Sequence, residues 1–188
     1  MTRADVEPVC TRPRRPRHDG RRTLTERHDI DAELATTGAQ ELLASTAMAH
    51  LAYVGRDATP RVIQIGFFWT GKEFVLSTAA TAPKVTALSA RPDVALTIDG
   101  GDTPGRARAL SIRGRASVTI VDGVVEEYLA AARKSMDAEA AVQFEQNCRE
   151  MYDQMARIAI TPRWVRYYDF GAGRFPRFLQ ELAERAAR

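Results

Sequence analysis

Cysteine is nearly missing from this chain: Cys10 and Cys148 are the only two. They show no C-x-x-C spacing and no companion histidine cluster, which argues against a disulfide framework or a zinc site and makes a reducing cytoplasm the expected setting. Histidine is scarce as well, limited to His18, His28 and His50. His50 stands alone on its predicted strand and reads as a structural histidine rather than a base. There is no H-E-x-x-H, no Walker sequence and no G-x-S-x-G, so zincin, P-loop and serine-hydrolase chemistries have no footing. "GAGRFP" (171–176) lacks the third glycine of a dinucleotide fingerprint. No apolar run approaches the roughly 20 residues of a membrane span. The charged first residues lead into no apolar stretch, so no secretory signal is expected.

What is present divides unevenly. The chain holds 27 basic and 24 acidic residues, of which eight and four lie in residues 1–28. That leaves 19 and 20 over residues 29–188, so the positive charge belongs to the first segment. "CTRPRRPRHDGRR" has two prolines and no apolar periodicity and is expected to be a disordered basic arm, 1–28. Nucleic acid or acidic lipid could meet such an arm, and a solvated tail is the plainer alternative.

Beyond the arm, periodicity sets the elements. "TTGAQELLAST" predicts a helix, with Thr37 and Gln40 in capping-box spacing. "AHLAYVG" (49–55), "RVIQIGFFW" (61–69) and "EFVLST" (73–78) predict three strands, the last two joined by a tight turn at "TGK". "PKVTALSA" (83–90) suits a short helix, because Pro83 fits a first helical position. "DVALTID" (93–99) is a fourth strand. Residues 109–121 alternate strictly, with Leu110, Ile112, Gly114, Ala116, Val118 and Ile120 on one face. Gly114 in mid-strand predicts a bulge or a close backbone approach. Residues 124–155 read as one or two helices, 157–170 as a last strand bent or edged at Pro162, and the end as an amphipathic helix. Hairpin connections make the sheet mostly antiparallel. About six strands with few helices favour a small closed barrel, an α+β fold that is mainly β with flanking helices. The predicted organisation is arm 1–28, barrel domain 29–170 and carboxy-terminal helix 171–188.

One stretch carries the chemistry. "LSTAATAPKVTALSARPDVAL" (76–96) runs strand, hydroxyl pair, short loop, helix start with lysine. Free N–H groups and the positive dipole end at a helix start favour an anion. Lys84 would add a charge, and Ser77 and Thr78 would add donors. The plain alternative is a solvated lysine beside a strand end. Arg113 and Arg115, on the polar face of the long strand, could meet an acidic ligand or be solvated.

The ordered set "LAYVGRDATPRVIQIGFFW", "FVLSTAATAPKVTALSARPDVALTI" and "IRGRASV" resembles the pyridoxamine 5'-phosphate oxidase-like superfamily of flavin- and deazaflavin-binding split β-barrels. The resemblance spans about Leu42 to Val121 and resumes at Arg157–Tyr168. It implies a six-stranded antiparallel split β-barrel that forms a homodimer with the cofactor at the interface. By that resemblance Ser77, Thr78 and Lys84, with Pro83 opening the helix, would hold a phosphate. Gln64, Ile65 and Gly66 would lie along the ring, and an aromatic such as Trp164 would stand near it. Phe67, Phe68 and Trp69 could equally be core or interface residues. Ala82 stands where the family often has a basic residue. The carboxy-terminal Trp/Arg signature of true pyridoxamine-phosphate oxidases is not evident in "YYDFGAGRFPRF", which argues against pyridoxamine phosphate as substrate.

The expected function is therefore an FMN-dependent oxidoreductase that transfers hydride between bound FMN and a small organic substrate. A deazaflavin-dependent reductase on the same scaffold, or a non-catalytic flavin- or haem-binding module, are the alternatives. No catalytic side chain is assigned, because the cofactor carries that chemistry.

Overall fold

The computed structural model describes residues 24–186. Cys10 and most of the basic arm lie outside the described residues. The arm's last residues, 24–28, belong to a helix the sequence did not announce, α1 (Leu24–Leu34). Then follow α2 (Thr37–Ser45), β1 (Met48–Val54), β2 (Pro60–Trp69), β3 (Phe74–Ala79), α3 (Pro83–Ala90) and β4 (Asp93–Gly100). A single 3-10 turn leads to β5 (Arg108–Asp122), α4 (Glu126–Ala132), α5 (Ala138–Met151), β6 (Gln154–Asp169) and α6 (Arg177–Ala186). No described helix is long and apolar enough to cross a membrane.

The six strands close into an antiparallel barrel in the order β1-β2-β3-β6-β5-β4. Alternation decides which side chains enter it. Leu51, Phe67, Phe74, Leu96, Ile112 and Ile158 point inward and are fully buried. Each such side chain contributes about 1.5–3 kcal/mol over its exposed state. The inward series predicted for β5 holds to Ala116, beyond which Ile120 is exposed, because the strand there outruns the barrel. A second cluster, Val124, Val125, Leu129, Cys148 and Met155, packs α4 and α5 against the barrel's end.

Gly114 meets both expectations. The β5–β6 register shifts between Arg113 and Gly114, which pair with Trp164 and Pro162, so Arg163 is the bulged residue. A Cβ at Gly114 would lie 2.7 Å from the Thr161 carbonyl oxygen, so the backbones approach too closely for any side chain. The capping box at Thr37 and Gln40 does not form. Thr36 is the N-cap residue and makes no side-chain cap, and the Gln40 amide instead donates to the Leu34 carbonyl at 2.6 Å.

Candidate functional site

β2 and β3 start as a tight hairpin and then part. Their pairing covers only Phe67–Trp69 with Phe74–Leu76. Beyond it β2 stays with β1 from Met48 to Val54, while β3 stays with β6 as far as Ala79. The gap is a groove of about 490 Å³, with Ile63, Gln64, Ile65 and Gly66 on one bank and Ser77, Thr78, Ala79 and Lys84 on the other. The Phe67 N–H donates to the Ala47 carbonyl, on the β1 side. By strand alternation the main-chain N–H and C=O groups of Gln64 and Gly66 then face the gap. A Cβ at Gly66 would make only ordinary contacts, 3.8 Å from the Ala47 oxygen and 3.9 Å from Ala131 Cβ. The chain's own packing therefore does not require glycine here, and the missing side chain leaves room at the groove floor.

The far bank gathers polar groups, one of them without a hydrogen bond. Ser77 is 6% exposed, and its hydroxyl has no hydrogen bond. Lys84 Nζ donates to Thr78 Oγ1 at 2.9 Å, and among the described residues no carboxylate pairs with it. Burial lowers the pKa of its ammonium below the ordinary lysine value. Pro83 opens α3, whose N-cap, Ala82, has no side chain able to accept from the first-turn N–H groups. The residue that withholds a second positive charge thus also leaves the helix start open. A desolvated cation, an orphan hydroxyl and an uncapped helix N-terminus together favour an anion.

The remaining wall comes from residues that sequence reasoning missed. Tyr128 of α4 and Tyr152, just after α5, line the groove with Met48 and Met155. The two tyrosine rings meet edge to face with centroids 6.4 Å apart. Burial, with Tyr152 and Cys148 nearby, raises the Tyr128 phenol pKa to about 12, so it remains a donor. An ion pair fixes α4 here: Arg157, paired across the sheet with Ser77, donates to Glu127 Oε1 at 2.9 and 2.7 Å. Burial pushes the Glu127 carboxyl pKa up, but the Arg157 hydrogen bonds, the hydrogen bond from its own backbone N–H and the Arg157 charge together hold it below the ordinary value. Tyr128 and Tyr152 sit in an Ala- and Glu-rich segment whose pattern reports only helix. No local signal marks them as groove residues.

Of the sequence-predicted residues, Gln64, Ile65, Gly66, Ser77, Thr78 and Lys84 come together in this groove, with Pro83 at its edge. Trp164 does not join them within the chain. It lines a separate cavity of about 420 Å³ with Glu33, Arg166 and Arg174, and Arg113 stacks over its ring at 4.5 Å. Among the described residues no cluster of three His, Cys, Asp or Glu could hold a metal ion.

Comparison with known proteins bears on the fold and the family. No curated protein matches the chain in sequence. Among solved structures, a conserved hypothetical protein from Mycobacterium tuberculosis superimposes with a TM-score of 0.56 at 21% identity, over 77% of this chain and 92% of that one. An F420 reductase gives 0.52 at 25% identity, over 70% and 98%. A haem-binding protein from Mycobacterium smegmatis gives 0.51 at 22% identity, over 77% of this chain and 55% of that one. The family model described as pyridoxamine 5'-phosphate oxidase matches residues 35–169, from the last residues before α2 to the end of β6. With the barrel and most of the sequence accounted for in this way, the chain belongs to the pyridoxamine 5'-phosphate oxidase family.

Proposed function

We propose that the groove between β2 and β3 binds the phosphate and ring of FMN, and that the protein is a cytoplasmic oxidoreductase of small organic substrates. The observation that carries this reading is the set gathered where β3 ends and α3 starts: Lys84 with no carboxylate partner among the described residues, Ser77 without a hydrogen bond, and an N-cap without a capping side chain. Lys84, Thr78, Ser77 and the open helix start would take the phosphate. The gap-facing main-chain groups of Gln64 and Gly66 would pair with the polar edge of a planar heterocycle laid on the β2 bank. Tyr128 and Tyr152 would close the opposite side and exclude water. The bound cofactor would supply two-electron hydride chemistry, and the protein binds, orients and shields it.

A deazaflavin coenzyme is the second reading. It also presents a phosphate and a tricyclic ring, and the likeness to an F420 reductase at 25% identity favours it. Titrating the purified protein separately with FMN and with a deazaflavin coenzyme tests both. Saturable binding of either, with a flavin band near about 450 nm for FMN, is the expected result. Binding of neither overturns the reading, and a tetrapyrrole spectrum in its place would favour the binding-module alternative.

Beyond the part of β2 that α4 covers, Ala52, Val54, Val62 and Ala95 line a shallow, mostly apolar hollow of about 510 Å³ on the outer side of β4, β1 and β2. Val62 is 68% exposed. A second copy of the chain laid on this face would form a homodimer and wall the groove's mouth. Val62→Arg is expected to shift the protein from dimer to monomer in sedimentation. A wild-type protein that sediments as a monomer overturns the dimer.

A further inference from the structure

The outer face of β1 carries one ionisable side chain, His50. Its inward neighbours Ala49 and Leu51 are fully buried, so His50 and Met48 project from the opposite face. Met48 lines the groove, and Gln64, the cross-strand partner of His50, lines it too. Directly paired side chains on one face of an antiparallel sheet have Cβ atoms about 5 Å apart. His50 therefore stands at the groove's rim, beside the bank against which a planar ligand would lie. On its other flank is β4, where Thr97 is its register partner and Asp99 lies two residues further along.

Asp99 orients the ring. His50 Nδ1 lies 3.2 Å from Asp99 Oδ1, and no lysine or arginine among the described residues competes for that carboxylate. Placing the proton on Nδ1 satisfies the carboxylate and leaves Nε2 with no hydrogen-bond partner among the described residues. Both side chains are about half exposed, so a ligand can reach them. A histidine held in one orientation by a carboxylate, with its second nitrogen free beside a binding groove, is a usual arrangement for moving protons near neutral pH.

We infer that His50 is the proton-donating residue of this groove and Asp99 its positioning residue, serving the reduction of a small activated alkene or carbonyl compound. The inference rests on the groove binding a hydride-carrying coenzyme as proposed above. In such a reduction the reduced coenzyme loses two electrons as hydride, and a new C–H bond forms on the substrate. The π pair moves to the neighbouring atom, which takes the Nε2 proton of His50 in its imidazolium form; this leaves the Nδ1–H tautomer that Asp99 holds, and Nε2 regains its proton from water. This substrate class needs a proton delivered as well as a hydride, and the rim supplies one group suited to deliver it.

The test uses the full-length protein, with FMN and a deazaflavin coenzyme as probes. Carbon-labelled histidine spectra resolve the three histidines, and His50→Gln identifies the His50 signal. On saturation the His50 Cε1–H resonance is expected to move and that of His28 to stay. Asp99→Asn should shift the ring-nitrogen signals of His50 toward the other tautomer, which a merely structural carboxylate would not do. His50→Gln should keep coenzyme affinity within about twofold. It should lower turnover of activated alkenes or carbonyls about 100-fold or more, the usual weight of a general acid. Coenzyme binding with an unmoved His50 resonance overturns the inference alone, as does unchanged turnover in His50→Gln. Failure of both coenzymes to bind overturns the reading of the groove itself and this inference with it.

Discussion

Replacing Lys84 with methionine removes one charge from the groove and keeps most of the apolar stem that this residue extends from the first turn of α3. Two unit charges about 4 Å apart at an effective dielectric of about 20 interact by about 4 kcal/mol. Lys84 is only half-buried, so solvent screening brings a phosphate's loss to about 1.5–2 kcal/mol, or roughly ten- to thirtyfold in affinity. FMN and riboflavin share a ring and differ by the phosphate, so the pair isolates this contribution. In a fluorescence titration, Lys84→Met should weaken FMN by that factor and leave riboflavin within about twofold. Equal losses for both ligands, or none for FMN, would refute the phosphate assignment. Proton linkage gives a second check. Burial lowers the Lys84 pKa in the free protein, and a bound phosphate would draw it back up, so FMN binding should take up protons. The preference for FMN over riboflavin should therefore weaken as pH rises through the titration of Lys84 in the free protein. That loss should disappear in Lys84→Met.

Three further substitutions probe the surroundings. Ser77→Ala removes a buried hydroxyl without a partner, so it should stabilise the free protein by about 1 kcal/mol in thermal unfolding while weakening FMN. An unchanged FMN affinity would remove Ser77 from the site. Gly114→Ala forces a Cβ to within 2.7 Å of the Thr161 carbonyl and should cost about 1–3 kcal/mol of stability in denaturant unfolding. Arg157→Met unpins α4 and should cost about 1 kcal/mol at neutral pH. The folded Glu127 carboxyl is held below its unfolded value, so its contribution is present above the unfolded pKa and lost as pH falls through the folded one. The gap between wild type and Arg157→Met should accordingly narrow in acid, as followed by far-UV unfolding curves.

Strand periodicity carried most of this architecture. β5 announces itself because its inward face repeats every second residue, and Gly114 is conspicuous by interrupting that face with no side chain. The gathering of Ser77, Thr78 and Lys84 on one bank was legible because they lie, with Pro83, within eight residues of one another, where local order implies spatial order. Tyr128 and Tyr152 were not legible, since nothing near them in sequence says that α4 folds back over β2 and β3 and that the end of α5 packs against α4. His50 shows the same limit. A lone histidine on a strand says little until the barrel brings Asp99, 49 residues away, to its ring. Helix α1 escaped notice because its sequence, LTERHDIDAEL, has hardly any amphipathic pattern. What fixes its end is tertiary: Glu33 accepts from Arg166 and Arg174, both far along the chain.

The early parting of β2 from β3 has a consequence for the barrel's local stability. β5 and β6 are laddered from Arg108 to Asp122, whereas β2 and β3 are joined only beside their turn. Amides held by a long ladder open only when the domain unfolds, while those along a strand edge with no partner exchange with solvent freely. The Gln64 and Gly66 amides should then be among the fastest to take up deuterium in the free protein, despite lying in a barrel strand. A ligand that bridges the two banks would act as a substitute strand and slow their exchange, while Leu110 and Ile112 would not change.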